Sequence, residues 1–130
     1  MSSEYADADA RIRGLLAAYC HALDDGRTED LVAMFVPDGT ATLPRTPPLQ
    51  GHDALRAAYA AMAPKTPQRH VVTNLHLEEY DGTRATVVSD LVFLLKGESE
   101  WKVRMVGRYT DVVRREGERW LFESRELVLD

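Results

Sequence analysis

Cysteine is nearly absent from this chain. Cys20 stands alone among 130 residues, so no disulfide can close within it and a reducing compartment is expected. No basic stripe is present either: 16 Lys and Arg are interspersed with 21 Asp and Glu, which argues against a nucleic-acid partner. Apolar runs are short, and none approaches the roughly 20 residues of a spanning helix, so no membrane partner is expected. The first ten residues are acidic and polar, without the apolar stretch of a secretory signal, and the expected location is cytoplasmic. Phosphate loops, dinucleotide fingerprints and nucleophile elbows are missing. Four histidines and one cysteine raise the question of a metal. His70 and His76 are too far apart along one strand, by roughly 20 Å, to share an ion. Cys20 and His21 diverge by about 100° round a helix. No zinc-like spacing exists, and neither metal nor other cofactor is expected. Cys20 itself reads as a buried, inert thiol.

What is present is ordinary for one globular domain over residues 1–130: 45% hydrophobic and 28% charged residues, with a net charge of −5. A chain this long buries roughly two-thirds of its unfolded surface. Residues 1–6 read as a frayed terminus. From Asp7, the residues Ile12, Leu15, Leu16, Tyr19 and Leu23 recur at three- and four-residue steps, one stripe of an amphipathic helix. Asp24-Asp25-Gly26 stops it, with Gly26 as the C-terminal cap. Thr28 is placed to cap a short second helix that buries Leu31, Met34 and Phe35. Pro37-Asp38-Gly39 reads as a turn, Thr40–Leu43 as a short strand, and Pro44–Gln50 as a loop. A third helix follows Gly51, with Leu55, Ala58, Tyr59 and Met62 on one stripe.

After Pro67 the period changes to two. Four strands are expected, at about 69–80, 84–96, 101–115 and 119–129, joined by Gly-containing hairpin turns. Helices first and long antiparallel strands afterwards define an α+β class, with three N-terminal helices packed on the concave face of a strongly curved sheet. In the first long strand, His70, Val72 and Asn74 share one face. An imidazole and an amide flanking a branched apolar residue point to an enclosed pocket in which His70 moves protons.

Several segments resemble the SnoaL-like branch of the nuclear transport factor 2-like superfamily. They are Leu15–Arg27, Phe35–Thr40, Gly51–Leu55, Arg69–Asn74, Gly107–Asp111 and Gly117–Phe122, in that order and nearly end to end. The resemblance implies a conical α+β barrel with a pocket at its open end. In relatives similar to scytalone dehydratase, bile-acid dehydratase and hexachlorocyclohexane dehydrochlorinase, an Asp closing the first helix pairs with a His on the first long strand. Asp24 and His70 match them, and Tyr19 matches a tyrosine of the bile-acid type. Asp90 and Arg125 are the best counterparts of charged residues on later strands.

Physical chemistry supports the same pair. A carboxylate at a helix C-terminus is disfavoured by the macrodipole, and an imidazole relieves it. Accepting from Nδ1–H, Asp24 would leave Nε2 as the base. Asp25 is the alternative carboxylate, but it points about 100° away and is expected to be solvated. Tyr19 either holds the substrate oxygen from the pocket mouth or is ordinary core. Asn74 is either in the pocket or structural. Asp90 is either in the pocket or paired across strands with an arginine. The expected lining is Leu16, Leu23, Phe35, Tyr59, Met62, Val72, Val88, Val92 and Met105.

The function expected is a cofactor-independent lyase, of dehydratase type, on a small apolar oxygenated molecule. An isomerase or polyketide-type cyclase using the same dyad is the alternative, and a non-catalytic small-molecule-binding module is a second. A homodimer through the convex sheet face is expected, from Trp101, Tyr109, Trp120 and Phe122.

Overall fold

The structure is a computed structural model that describes residues 3–130. Its elements run α1 (Ser3–Asp24), α2 (Thr28–Val32), β1 (Phe35–Thr42), β2 (Leu49–Gln50), α3 (Gly51–Ala61), β3 (Gln68–Tyr80), β4 (Arg84–Lys96), β5 (Trp101–Glu116) and β6 (Arg119–Leu129). Helix α1 starts at Ser3, so residues 3–6 are helical rather than frayed; residues 1–2 lie outside the described residues. The expected stripe of α1 is buried at Ile12, Leu16, Tyr19 and Leu23 and partly buried at Leu15, and Cys20 is buried beside it. Gly26 ends it at φ 71°, a left-handed conformation that a side chain disfavours. Arg27 N–H closes the turn onto the carbonyl of Ala22. Helix α2 is capped differently from expectation: Arg27 precedes it and makes no side-chain cap.

One six-stranded sheet, in the order β2-β1-β6-β5-β4-β3, curls without closing around α1 and α3. All neighbours are antiparallel except β1 and β6. The expected turn at Pro37–Gly39 is instead an irregular part of β1, where its register against β6 shifts between Phe35 and Thr40. The proline-rich loop contains the two residues of β2, which pair with Thr40 and Ala41.

Which residues face the interior is decided by strand parity and by the bulges that reset it. On β4 the interior set is Ala85, Val87, Ser89 and Leu91, so Val88, Asp90 and Val92 face outward. The expected inward placement of Val88 and Val92 is therefore overturned. On β6, a register shift opposite Val112 and Val113 lets Trp120 and Phe122 face in and, beyond it, Arg125 and Leu127 as well. Tyr109, Trp120 and Phe122, expected on the convex face, are thus in the core, whereas Trp101 is exposed.

Aromatic rings fill the middle of the curled sheet. The hydroxyls of Tyr19 and Tyr59 hydrogen-bond each other at 2.6 Å. Tyr19 meets Phe122 edge to face at 5.6 Å, and Phe35 lies 5.1 Å from Phe122. Arg125, fully buried, lays its guanidinium over Tyr109 at 3.6 Å and Tyr19 at 4.1 Å.

Candidate active site

Asp24 is the last residue of α1 and reaches across to β3, the edge strand of the sheet. One carboxylate there collects three donors. His70 Nδ1–H donates to Oδ1 at 2.6 Å, Gln68 Nε2–H to the same oxygen at 3.1 Å, and the His70 backbone N–H to Oδ2 at 2.8 Å. An ionised carboxylate can only accept, so the shared proton sits on Nδ1, and in the neutral imidazole Nε2 then carries the lone pair. Burial pushes the Asp24 carboxyl up, but its hydrogen bonds with His70 and Gln68 outweigh that and hold it below its ordinary value. Both side chains are nearly enclosed, His70 at 10% and Asp24 at 6% exposure. Phe93, opposite His70 on β4, packs its ring 4.6 Å from the imidazole and limits its rotation.

His70 lines a groove of about 450 Å³ between α1 and β3. Leu16, Ala17 and Cys20 form its helical wall, and Val72 and Leu75 are among the residues on the strand side. Its volume is within the range of small-molecule sites, and its lining mixes apolar surface with a few polar groups. The groove is open, not the enclosed pocket that alternation suggested, because β3 is an edge and nothing pairs beyond it. Burial raises the Cys20 thiol to about 11, so it stays protonated.

Of the residues expected at the site, Asp24, His70 and Val72 come together; Leu16 joins them. Tyr19 and Tyr59 do not line the groove: both are fully buried, each hydroxyl is taken by the other, and burial drives both phenols up. Leu23 and Phe35 are core. Met105 pairs with Phe93 on β5, half-buried and away from the groove walls. Met62 is exposed.

Asn74 breaks the alternation. It takes φ 53° where the pairing of β3 slips, lies at the groove rim, and donates its amide to Asp90 at 2.9 Å. Asp90 also accepts from Arg108 at 2.8 Å on the outer face, and these two hydrogen bonds, Arg108 first, hold it low. Asp90 is therefore the cross-strand partner of an arginine and lies outside the groove.

Arg125 has another partner. Its Nε lies 3.0 Å from Asp111 Oδ1, both side chains wholly enclosed, yet no guanidinium nitrogen has an aligned hydrogen-bond acceptor. Burial lifts the Asp111 carboxyl to about 6 against the pull of Arg125. Three contributors were not foreseen. Gln68 and Phe93 have a legible signal, since each is placed by alternation or pairing around His70. Asp111 has only its parity with Tyr109 on β5. Among the described residues, no three His, Cys, Asp or Glu converge as metal ligands, and no helix is long and apolar enough to cross a membrane.

Solved structures of the same architecture exist. Rv3472 of Mycobacterium tuberculosis, a protein of unknown function, superposes with a TM-score of 0.91 at 29% identity over 98% of this chain and 75% of that one. A Catenulispora acidiphila protein solved in complex with S-DNPA gives 0.86 at 25% identity, over 96% and 95%. A Novosphingobium aromaticivorans protein provisionally named a scytalone dehydratase gives 0.89 at 22%, over 100% and 89%, a likeness of fold alone. No curated protein sequence matches the chain. The SnoaL-like domain profile matches residues 4–126, nearly the whole of the curled sheet and the helices it wraps, and the chain belongs to the SnoaL-like family.

Proposed function

We propose that this protein is a cofactor-independent lyase that removes water from a small, largely apolar hydroxy-carbonyl compound in the α1/β3 groove. The observation that carries this reading is the Asp24–His70 contact of 2.6 Å at the groove wall, with Nε2 left as the free basic nitrogen. His70 Nε2 takes the proton from the carbon next to the carbonyl, and the C–H electrons move onto the carbonyl oxygen. The returning electrons form the C=C bond and expel the β-hydroxyl, which takes the proton back from the imidazolium and leaves as water. Asp24 orients the ring and stabilises its cationic form, the arrangement that makes a positioned imidazole worth about 10²–10⁴ in rate. Because Tyr19 and Arg125 are engaged in the core, neither has a step in this scheme.

The test is the aldol of benzaldehyde and acetone, whose dehydration to benzylideneacetone is followed by ultraviolet absorbance. Turnover is expected from the native chain and a loss of at least about a hundredfold from His70→Ala. Equal rates with and without His70 would overturn the reading. The openness of the groove and the engagement of Tyr19 favour one other reading, a non-catalytic binding module. In that case no turnover occurs and His70→Ala leaves benzylideneacetone affinity largely intact.

We also infer a homodimer through the outer sheet face, on which Val71, Trp101, Val103, Val106 and Val128 are all more than 40% exposed.

A further inference from the structure

Strand β3 is one of the two edges of the sheet, and an antiparallel edge strand directs only alternate residues' N–H and C=O groups to its neighbour. Two hydrogen bonds fix the phase. Lys96 N–H donates to the Pro67 carbonyl at 3.0 Å, so odd-numbered residues here face β4. His70 N–H donates instead to Asp24 at 2.8 Å, so even-numbered residues face away. Pairing stays in register from Gln68 to Thr73, which puts Val72 in the same phase as His70. Its N–H and C=O, and the C=O of His70, therefore point from the strand into the groove that Val72 lines.

Unpaired edge groups ordinarily invite another strand. Here both ends of the run are closed. The Asp24 carboxylate covers His70 N–H, and beyond Val72 the chain kinks at Asn74 while Arg13 Nη2 donates to the Leu75 carbonyl at 3.3 Å. Between these two closures one residue's worth of edge remains beside the groove, too little for a peptide strand but sized for a single oxygen function.

We propose that Val72 N–H is the oxyanion donor of the groove: it holds the carbonyl oxygen of a small hydroxy-carbonyl ligand, while the adjacent His70 and Val72 carbonyls accept from the ligand's hydroxyl. This rests on the lyase reading and supplies the donor that Tyr19 and Arg125 do not. A backbone N–H beside the imidazole is fixed by the sheet and needs no reorganisation as charge builds on oxygen.

The experiment is titration of nitrogen-15-labelled protein with benzylideneacetone, on the native chain and on chains carrying a backbone ester in place of the amide at Val72 or at Val71. Val72 N–H is expected to move downfield and saturate together with the Cys20 and His70 signals. The Val72 ester is expected to lose about tenfold in affinity with little change in melting temperature, and the Val71 ester to melt lower but bind as before. Val72→Pro, checked for fold by circular dichroism, should lose affinity as the Val72 ester does. If Cys20 and His70 respond while Val72 does not, or the Val72 ester binds as tightly as the native chain, the backbone donor is wrong and the lyase reading stands. If no groove signal moves and the aldol is not turned over, both fall.

Discussion

At Asp24, three donors converge on one carboxylate. Replacing it with alanine leaves three part-buried donors without an acceptor, and Asp24→Ala is expected to lose about 1–3 kcal/mol in urea denaturation. The sign with pH follows from the direction of its shift. The folded carboxyl is held below its ordinary 3.8, so its contribution is present above that value and fades as pH falls through the folded value. The stability gap between native and Asp24→Asn proteins should therefore be full near neutral pH and narrow in acid. Asp111 runs the other way: its folded value is raised to about 6, so the cost of keeping it charged grows as pH rises from 3.8 to about 6. Asp111→Ala strands a buried guanidinium and is expected to cost about 3–5 kcal/mol, whereas Asp111→Leu with Arg125→Met should recover most of that by thermal melting.

At the scale of elements, the edge strand and its bulge make the site. Alternation alone puts His70, Val72 and Asn74 on one face, and for the first two the structure agrees. Asn74 departs because a register slip is a property of two strands, and nothing in either sequence alone announces it. Gly107 shows a similar constraint from the partner's side. A Cβ there would lie 2.6 Å from the Val128 carbonyl oxygen, a backbone atom that cannot swing aside. Gly107→Ala is expected to destabilise the β5–β6 pairing by about 1–3 kcal/mol, read as early hydrogen exchange in β6 with β3 and the His70 environment retained.

At the scale of the molecule, the sheet's outer face joins apolar rows across three strands. Val71 pairs with Val92, Val92 with Val106, and Leu94 with both Arg69 and Val103. Arg69 also covers the Trp101 ring at 5.6 Å. If this face is buried between two copies, Val103→Lys with Val106→Lys should halve the mass measured by sedimentation equilibrium while leaving groove binding intact. An unchanged mass would remove the dimer from the account.

By itself the sequence determined the helical stripes, the change of period after Pro67 and the capping glycine, because each depends on local spacing; the Asp24–His70 pair, 46 residues apart, was legible through the resemblance to the SnoaL-like family. Tertiary structure alone decided where charges and rings ended up. A bulge opposite Val112 and Val113 sends Arg125 inward to Asp111, and strand parity turns Asp90 outward to Arg108. The mutual hydrogen bond of Tyr19 and Tyr59 spans forty residues of sequence and engages both hydroxyls in the core, away from the α1/β3 groove. These outcomes depend on which side of a strand faces the helices, and strand pairing settles that at a distance no local pattern can read.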